Sequence, residues 1–353
     1  MTRIEDIDKN FKIETKIEKE GLKFYDSLQK PFEIYGVYMD GGKFRRMPET
    51  VAQNVSRGVL ALHSDCAGGR IRFCTDSPFV AISVEYERVG DMSHFPLSGS
   101  AGFDLYMNEG DGERYVKTFV PPRDTVNTKK LEALHEFQDA KMRAVTINMP
   151  LYSSITKLYI GLFENAKVEK PAPYVNDKPI VYYGSSITQG GCASRPGNCY
   201  QGHISRRFNC DYINLGFSGN AKAEDAIIDY IKNLDMSVFV YDYDHNAPSV
   251  EHLKNTHEKM FKAIRELNPD LPIIIMSSPK WILEGMWQER RDIIEQTYKN
   301  AISAGDTNVY FLDGKALMAL CENNGTVDNC HPTDLGFFSM AKAVGDVIER
   351  IWK

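Results

Sequence analysis

The sequence contains no basic cluster and no long block of like charge. Its 42 Lys and Arg stand against 48 Asp and Glu, a net charge of −6. A polyanion finds no electrostatic footprint on such a chain, so neither nucleic acid nor an anionic membrane is an expected partner. No uninterrupted apolar run approaches the length of a membrane span. The opening, Met1 to Lys9, is charged and has no apolar core of signal-peptide length, which makes the cytoplasm the expected compartment. Cysteine is sparse: Cys66, Cys74, Cys192, Cys199, Cys210, Cys321 and Cys330 are odd in number and include no Cys-x-x-Cys pair. Free thiols in a reducing compartment fit this spacing better than a disulfide framework or a zinc site. Only Cys192 and Cys199, flanking a Pro-Gly loop, are placed for a bridge. There is no His-Glu-x-x-His and no P-loop, so no metal and no organic cofactor is expected. No internal repeat or low-complexity tract is present.

What the chain does have is length and two textures. At 353 residues it is long for one core, and two domains are expected. The first, over 1–170, consists of short β-type runs broken by Gly, Pro, Asp and Ser. Among them are Gly58 to His63, Arg70 to Cys74, Val80 to Tyr86, Gly102 to Met107, Arg114 to Val120, Arg143 to Met149 and Ile155 to Leu162. Several alternate apolar and polar residues at period two, which predicts a β-sandwich or jelly roll. No long amphipathic helix interrupts these runs, and Lys129 to Lys141 is the one stretch left open to a helix. A polar stretch with prolines at 171 and 173 reads as a linker over 171–178.

From 179 to 353 the texture changes. Apolar strands at 179–183, 212–215, 238–243, 273–276 and 309–312 alternate with amphipathic helices. The helix from Ser249 to Leu267 places Leu253, His257, Met260, Phe261 and Ile264 on one face, with Ser249 as its N-cap. Alternating strands and helices predict a parallel sheet covered on both faces, an α/β domain of three layers.

Four polar segments punctuate this second half. Val181-Tyr182-Tyr183-Gly184-Ser185-Ser186-Ile187-Thr188-Gln189-Gly190 breaks from an apolar strand into two serines, at the place where open α/β sheets hold their ligands. Asn214 to Asn220 is a strand-to-helix loop bearing Gly219, able to turn backbone N–H groups toward an anion. Tyr241 to Pro248 ends an apolar strand with Asp244, His245 and Asn246. Asp328-Asn329-Cys330-His331-Pro332 precedes the last helix. Taken singly, each has a plain reading: a polar turn, a turn glycine, a helix-leading Asn, a turn-capping Asp, a surface histidine.

In this order the segments resemble the blocks of the GDSL or SGNH hydrolases, over roughly residues 175 to 353. The resemblance implies Ser186 as nucleophile, His331 as its base and Asp328 as the group orienting that base. It further implies an oxyanion hole from the N–H groups of Ser186 and Gly219 and the side-chain amide of Asn246. Two departures stand out. Ser185 occupies the position of the family's Asp, and Asp244-His245-Asn246-Ala247 replaces its Gly-x-Asn-Asp. His245 therefore enters as a substrate contact or a competing base. Trp281, placed after a strand, suits sugar stacking, with Trp287 near it in sequence, although half-buried packing serves both equally well. Arg195, in the loop Gly190 to Tyr200, is a candidate polar contact. From the first domain Arg45, Arg46 and His94 are within possible reach of the site.

A β-sandwich ahead of such a domain resembles two-domain carbohydrate acetylesterases. The expected substrate is accordingly an acetylated small molecule or oligosaccharide. A lysophospholipase or thioesterase on the same residues, or a carbohydrate-binding protein without activity, are the alternatives.

Overall fold

The computed structural model describes residues 15–110 and 112–353; the charged opening Met1 to Lys9 lies outside them. The first half forms two facing antiparallel sheets. One has the strand order Leu22–Asp26, Ser154–Phe163, Phe79–Arg88, Lys130–Glu136. In the other, Val168–Glu169, Arg70–Thr75, Arg143–Asn148, Phe103–Asn108 and Arg114–Phe119 lie side by side, and Glu33–Tyr35 also pairs with Arg70–Thr75. Inward residues of both sheets, among them Phe73, Ile82, Val84, Leu105, Ile147 and Ile160, share one core. Alternation at period two thus produced the expected sandwich.

One expectation fails here, and the one stretch left open to a helix is decided. Gly58 to His63 is not a strand but part of the helix Arg57–Leu62, whose N-cap Ser56 accepts the Val59 N–H at 3.2 Å. A six-residue apolar run fits either period, and the capping serine decides it. With the preceding helix Glu49–Val55, it sends Ala52 and Val59 into the core of the second domain, beside Val181, Leu215 and Ile227. Nor is Lys129 to Lys141 a helix: Lys130–Glu136 pairs antiparallel with Phe79–Arg88. Lys129 itself, at φ 56°, ends the short helix Thr125–Thr128.

The second half is a parallel sheet in the order Cys210–Gly216, Asn176–Gly184, Val238–Asp242, Ile273–Met276, Val309–Leu312. Successive residues of each strand serve opposite cores. Val181, Tyr183, Phe239, Tyr241, Ile273 and Ile275 face the helices Asp225–Lys232, Val250–Leu267 and Met286–Ser303. Ile180, Tyr182, Val238, Val240, Ile274 and Met276 face Tyr200–Phe208 and Asp334–Ile351. Both faces are covered, as the near-continuous apolar strands require. Ser249 caps its helix as expected, accepting the His252 N–H at 3.1 Å. Between the halves, 171–175 has no regular structure, and the next strand begins at Asn176.

Because Asn176–Gly184 lies between Cys210–Gly216 and Val238–Asp242, the chain changes direction of sheet growth there. A crevice opens at the carboxyl ends of strands around such a switch point. All four polar segments converge on it.

Candidate active site

Ser186 follows the strand Asn176–Gly184 at the start of the short helix Ser186–Gln189, capped by Ser185, whose Oγ accepts the Ile187 N–H at 3.2 Å. The position noted as departing from Asp thus serves as a helix cap. Gly184 has to be glycine: a Cβ there would stand 2.3 Å from Asp242 O. The turn that results leaves Ser186 8% exposed, with its Oγ 2.9 Å from His331 Nε2.

The histidine is held by its own turn. Asp328 Oδ1 accepts the N–H groups of Cys330 (3.0 Å) and His331 (2.7 Å), while Oδ2 lies 2.7 Å from His331 Nδ1. Asn329, at φ 62°, takes the left-handed step that lets three residues close on themselves. Burial works against the Asp328 charge, but the bonds from the His331 and Cys330 amides and from the imidazole outweigh it and hold the carboxyl down at about 2. An ionised Asp328 fixes the tautomer: Nδ1–H donates to it, and Nε2 keeps a lone pair facing the serine. Lys280 Nζ adds a bond to Asn329 O at 2.6 Å, pinning the turn from outside.

On the other side of Ser186 lies the glycine loop. Gly219 has φ +70° and open space around it, and among the described residues no group accepts its N–H or that of Ser186. Asn246 Oδ1 accepts the Ala221 N–H at 3.3 Å, which leaves the Asn246 NH₂ as donor. The segment carrying Asn246 is anchored by Asp244, which accepts the Ser278 N–H at 2.8 Å and pairs with the buried Arg290 at 3.3 Å. Arg290 also donates to Ala247 O at 2.7 Å.

Sequence reasoning missed the groups that hold these loops together. Gln189 donates to Asp65 Oδ2 (3.0 Å) and Leu151 O (3.2 Å), and its Oε1 accepts the Ser218 N–H at 3.0 Å. Tyr152 OH donates to Ser186 O at 3.1 Å. Asp65, Leu151 and Tyr152 all belong to the first half of the chain. The polar Gln189 next to two glycines was the only local signal.

The remaining candidates fall elsewhere. Arg195 does not face the serine: it donates to Asp104 Oδ2 at 2.9 Å and to Tyr106 OH, and its guanidinium lies 4.0 Å over the Tyr115 ring. It ties the loop after the nucleophile to the first domain, so its role as a substrate contact is not supported. Trp281 packs against the core on its face of the sheet, whereas Trp287 has its ring 4.9 Å from that of His245. The burial of His245 lowers its pKa to about 4, and Nε2 has no partner among the described residues. Among the described residues His245 makes no hydrogen bond to Ser186, whose Oγ is met by His331 instead. Arg46 crosses to the second domain and donates to Asn214 O (3.0 Å) and Gly216 O (2.6 Å). Arg45 stays with Asp40, Glu49 and His63. The His94 ring comes to 5.5 Å from that of His331. All seven cysteines are free, including Cys192 and Cys199.

A doubly covered parallel sheet with such a serine and histidine at its switch point is the architecture of an SGNH-type ester hydrolase. Residues 177–349 match the GDSL-like Lipase/Acylhydrolase family, and residues 22–168 match the N-terminus of Esterase_SGNH_hydro-type. The chain is thus a GDSL/SGNH hydrolase carrying that N-terminal domain. No curated protein matches it. Among solved structures, one described as a GDSL-like lipase from Bacteroides ovatus is 25% identical, with TM-score 0.83, over 94% of this chain and 98% of its own. The salicylyl-acyltransferase SsfX3 of a tetracycline biosynthetic pathway has TM-score 0.75 at 20% identity, covering 95% of this chain and 99% of its own. A family two carbohydrate esterase from Clostridium thermocellum, in complex with cellohexaose, has TM-score 0.58 at 13% identity, over 81% and 93%.

Proposed function

We propose that this protein is a serine esterase removing acetyl or other short acyl groups from O-acetylated carbohydrates. One observation carries the chemistry: Ser186 Oγ, His331 Nε2 and Nδ1, and Asp328 Oδ2 stand in line at 2.9 and 2.7 Å. His331 takes the serine proton as Oγ attacks the ester carbonyl. Asp328 holds the imidazole and balances the cation that forms. The oxyanion is met by the N–H groups of Ser186 and Gly219 and by the Asn246 NH₂. His331 then protonates the leaving sugar hydroxyl, and the same base activates water to release acetate from the acyl-serine.

The carbohydrate preference is supported by the order of domains, a sandwich followed by a hydrolase, which the family two carbohydrate esterase crystallised with cellohexaose shares. Trp287, with Lys280 Nζ 4.7 Å above its ring, supplies an aromatic face beside His245. The test is acetate release from acetylated oligosaccharides and from p-nitrophenyl acetate. Wild-type activity should collapse by ~10³ or more in both Ser186→Ala and His331→Ala. Full activity in Ser186→Ala overturns the mechanism. Faster turnover as the acyl chain lengthens overturns the short-acyl assignment in favour of a lipid or thioester substrate.

A further inference from the structure

We propose that His94, Cys192 and His331 form a binding site for a soft divalent cation such as Zn²⁺, and that its occupancy silences the serine. The three come from three separate segments. His94 sits on a tight turn of the first domain closed by the Met92–Phe95 bridge. Phe95 anchors that turn, with its buried ring 5.2 Å from that of Tyr152. Cys192 belongs to the loop that follows the nucleophile, and His331 to the turn before the last helix. One nitrogen from each histidine and the Cys192 Sγ all lie within 4.8 Å of one another.

Two imidazoles and a thiolate are the donor set that zinc prefers. Zn–N and Zn–S bonds of about 2.0–2.3 Å in a tetrahedral site place ligand atoms roughly 3.5 Å apart. The ligand atoms here span up to 4.8 Å, and the exposed His94 side chain is the one that has to move inward for an ion to be held. Burial, then the nearby Asp328 carboxylate, push the Cys192 thiol up to about 12, so the free protein carries it protonated. Binding therefore exchanges one proton for the metal: the S–H bond breaks, the Zn–S bond forms, and the proton leaves to solvent.

The consequence follows from His331. Its Nδ1–H is committed to Asp328 at 2.7 Å, so only Nε2 has a lone pair to offer. A carboxylate on the far nitrogen is also the partner that orients metal-bound histidines. Yet Nε2 is the atom 2.9 Å from Ser186 Oγ. One lone pair cannot hold a cation and accept a proton, so metal and hydrolysis exclude each other. The cation here is an inhibitor and no part of the catalytic chemistry.

This inference shares His331 with the esterase reading, so the decisive measurement requires no turnover. Metal-free full-length protein is titrated with Co²⁺, read by the thiolate-to-cobalt charge-transfer band and displaced with Zn²⁺. Wild type should bind one ion per chain with that band. Cys192→Ser should lose the band, and His94→Asn should weaken binding by ~10–100-fold or more. In the hydrolysis assay Zn²⁺ should inhibit wild type reversibly, EDTA should restore the rate, and both variants should resist by a similar factor. The absence of a thiolate band in wild type overturns the site, and so does Zn²⁺ inhibition that is equal in all three proteins. A protein that binds the ion with the band but hydrolyses no ester retains the site and loses only the esterase reading. His94→Asn alters an exposed side chain, so it remains informative if Cys192→Ser fails to fold.

Discussion

Gln189 donates its side-chain amide to the buried carboxylate of Asp65 at 3.0 Å, and so joins the nucleophile helix to the first domain. Its Oε1 accepts the Ser218 N–H at 3.0 Å, so one side chain also sets the position of the loop bearing Gly219. Gln189 thereby links the serine helix, the glycine loop and the first domain. Gly216 allows the approach: a Cβ there would stand 2.1 Å from Gln189 N.

Gln189→Leu removes all three bonds while keeping the volume similar. The Gly219 N–H then loses its fixed place relative to Ser186. A misplacement of this kind costs ~10² in rate, and it should appear in kcat more than in KM on p-nitrophenyl acetate. A wild-type kcat in a variant with a native circular dichroism spectrum would show that the loop is positioned by other contacts.

Asn246→Ala tests the third oxyanion donor of the proposed mechanism. Asn246 Oδ1 accepts the Ala221 N–H, which leaves the NH₂ free to donate. A donor that acts only on the developing charge should take ~10²–10³ from kcat when removed, leaving KM nearly unchanged. Asn246→Asp should be as poor, because a carboxylate beside the oxyanion repels it. A KM effect alone would reassign Asn246 to substrate binding.

Much of this site was legible in the sequence, and the division has a physical cause. Asp328 and His331 are three residues apart, so their pairing is local and readable from spacing. The strand-end serine and the double-sided strands follow from apolar runs whose alternate residues serve two cores. Gln189 and Asp65 are 124 residues apart, and Arg195 and Asp104 are 91 apart. Such contacts exist only once two domains have docked, and no periodicity encodes them. The different surroundings of Trp281 and Trp287 have the same origin: the helix Met286–Ser303 carries Trp287 to His245, while Trp281 packs half-buried against the core.

Arg195 is the clamp between those domains. Asp104, fully buried, accepts from Arg195 at 2.9 Å, from the Gly197 N–H at 2.8 Å and from Asn148 Nδ2 at 2.8 Å. Both Asp104 and Tyr106 lie in the segment Gly102-Phe103-Asp104-Leu105-Tyr106 of the matched N-terminal family. Arg195→Ala leaves a buried charge with two neutral donors and should lower stability by about 3 kcal/mol in denaturant unfolding. Adding Asp104→Asn removes that charge, so the double variant should be more stable than Arg195→Ala alone. If the two losses simply add, the pair is not coupled and the clamp is absent.

Asp242 makes its own contribution to the pH dependence of stability. It ends the strand next to the nucleophile strand, fully enclosed, and accepts from Thr188 Oγ1 at 2.7 Å and Tyr200 OH at 3.3 Å. Burial raises its pKa from 3.8 to about 7, more than those two bonds lower it. The folded state therefore holds the proton more tightly than the unfolded chain between these values. Asp242's own contribution to stability falls as pH rises from about 4 to about 7 and levels off above, by up to ~4 kcal/mol at about 1.4 kcal/mol per unit. Asp242→Asn keeps an oxygen for Thr188 and Tyr200 but cannot ionise. Urea unfolding at about pH 5 and about pH 8 should show the variant gaining on wild type at the higher pH. An equal difference at both pH values would mean that Asp242 is ionised in the folded protein throughout, with a donor other than Thr188 and Tyr200 sustaining its charge.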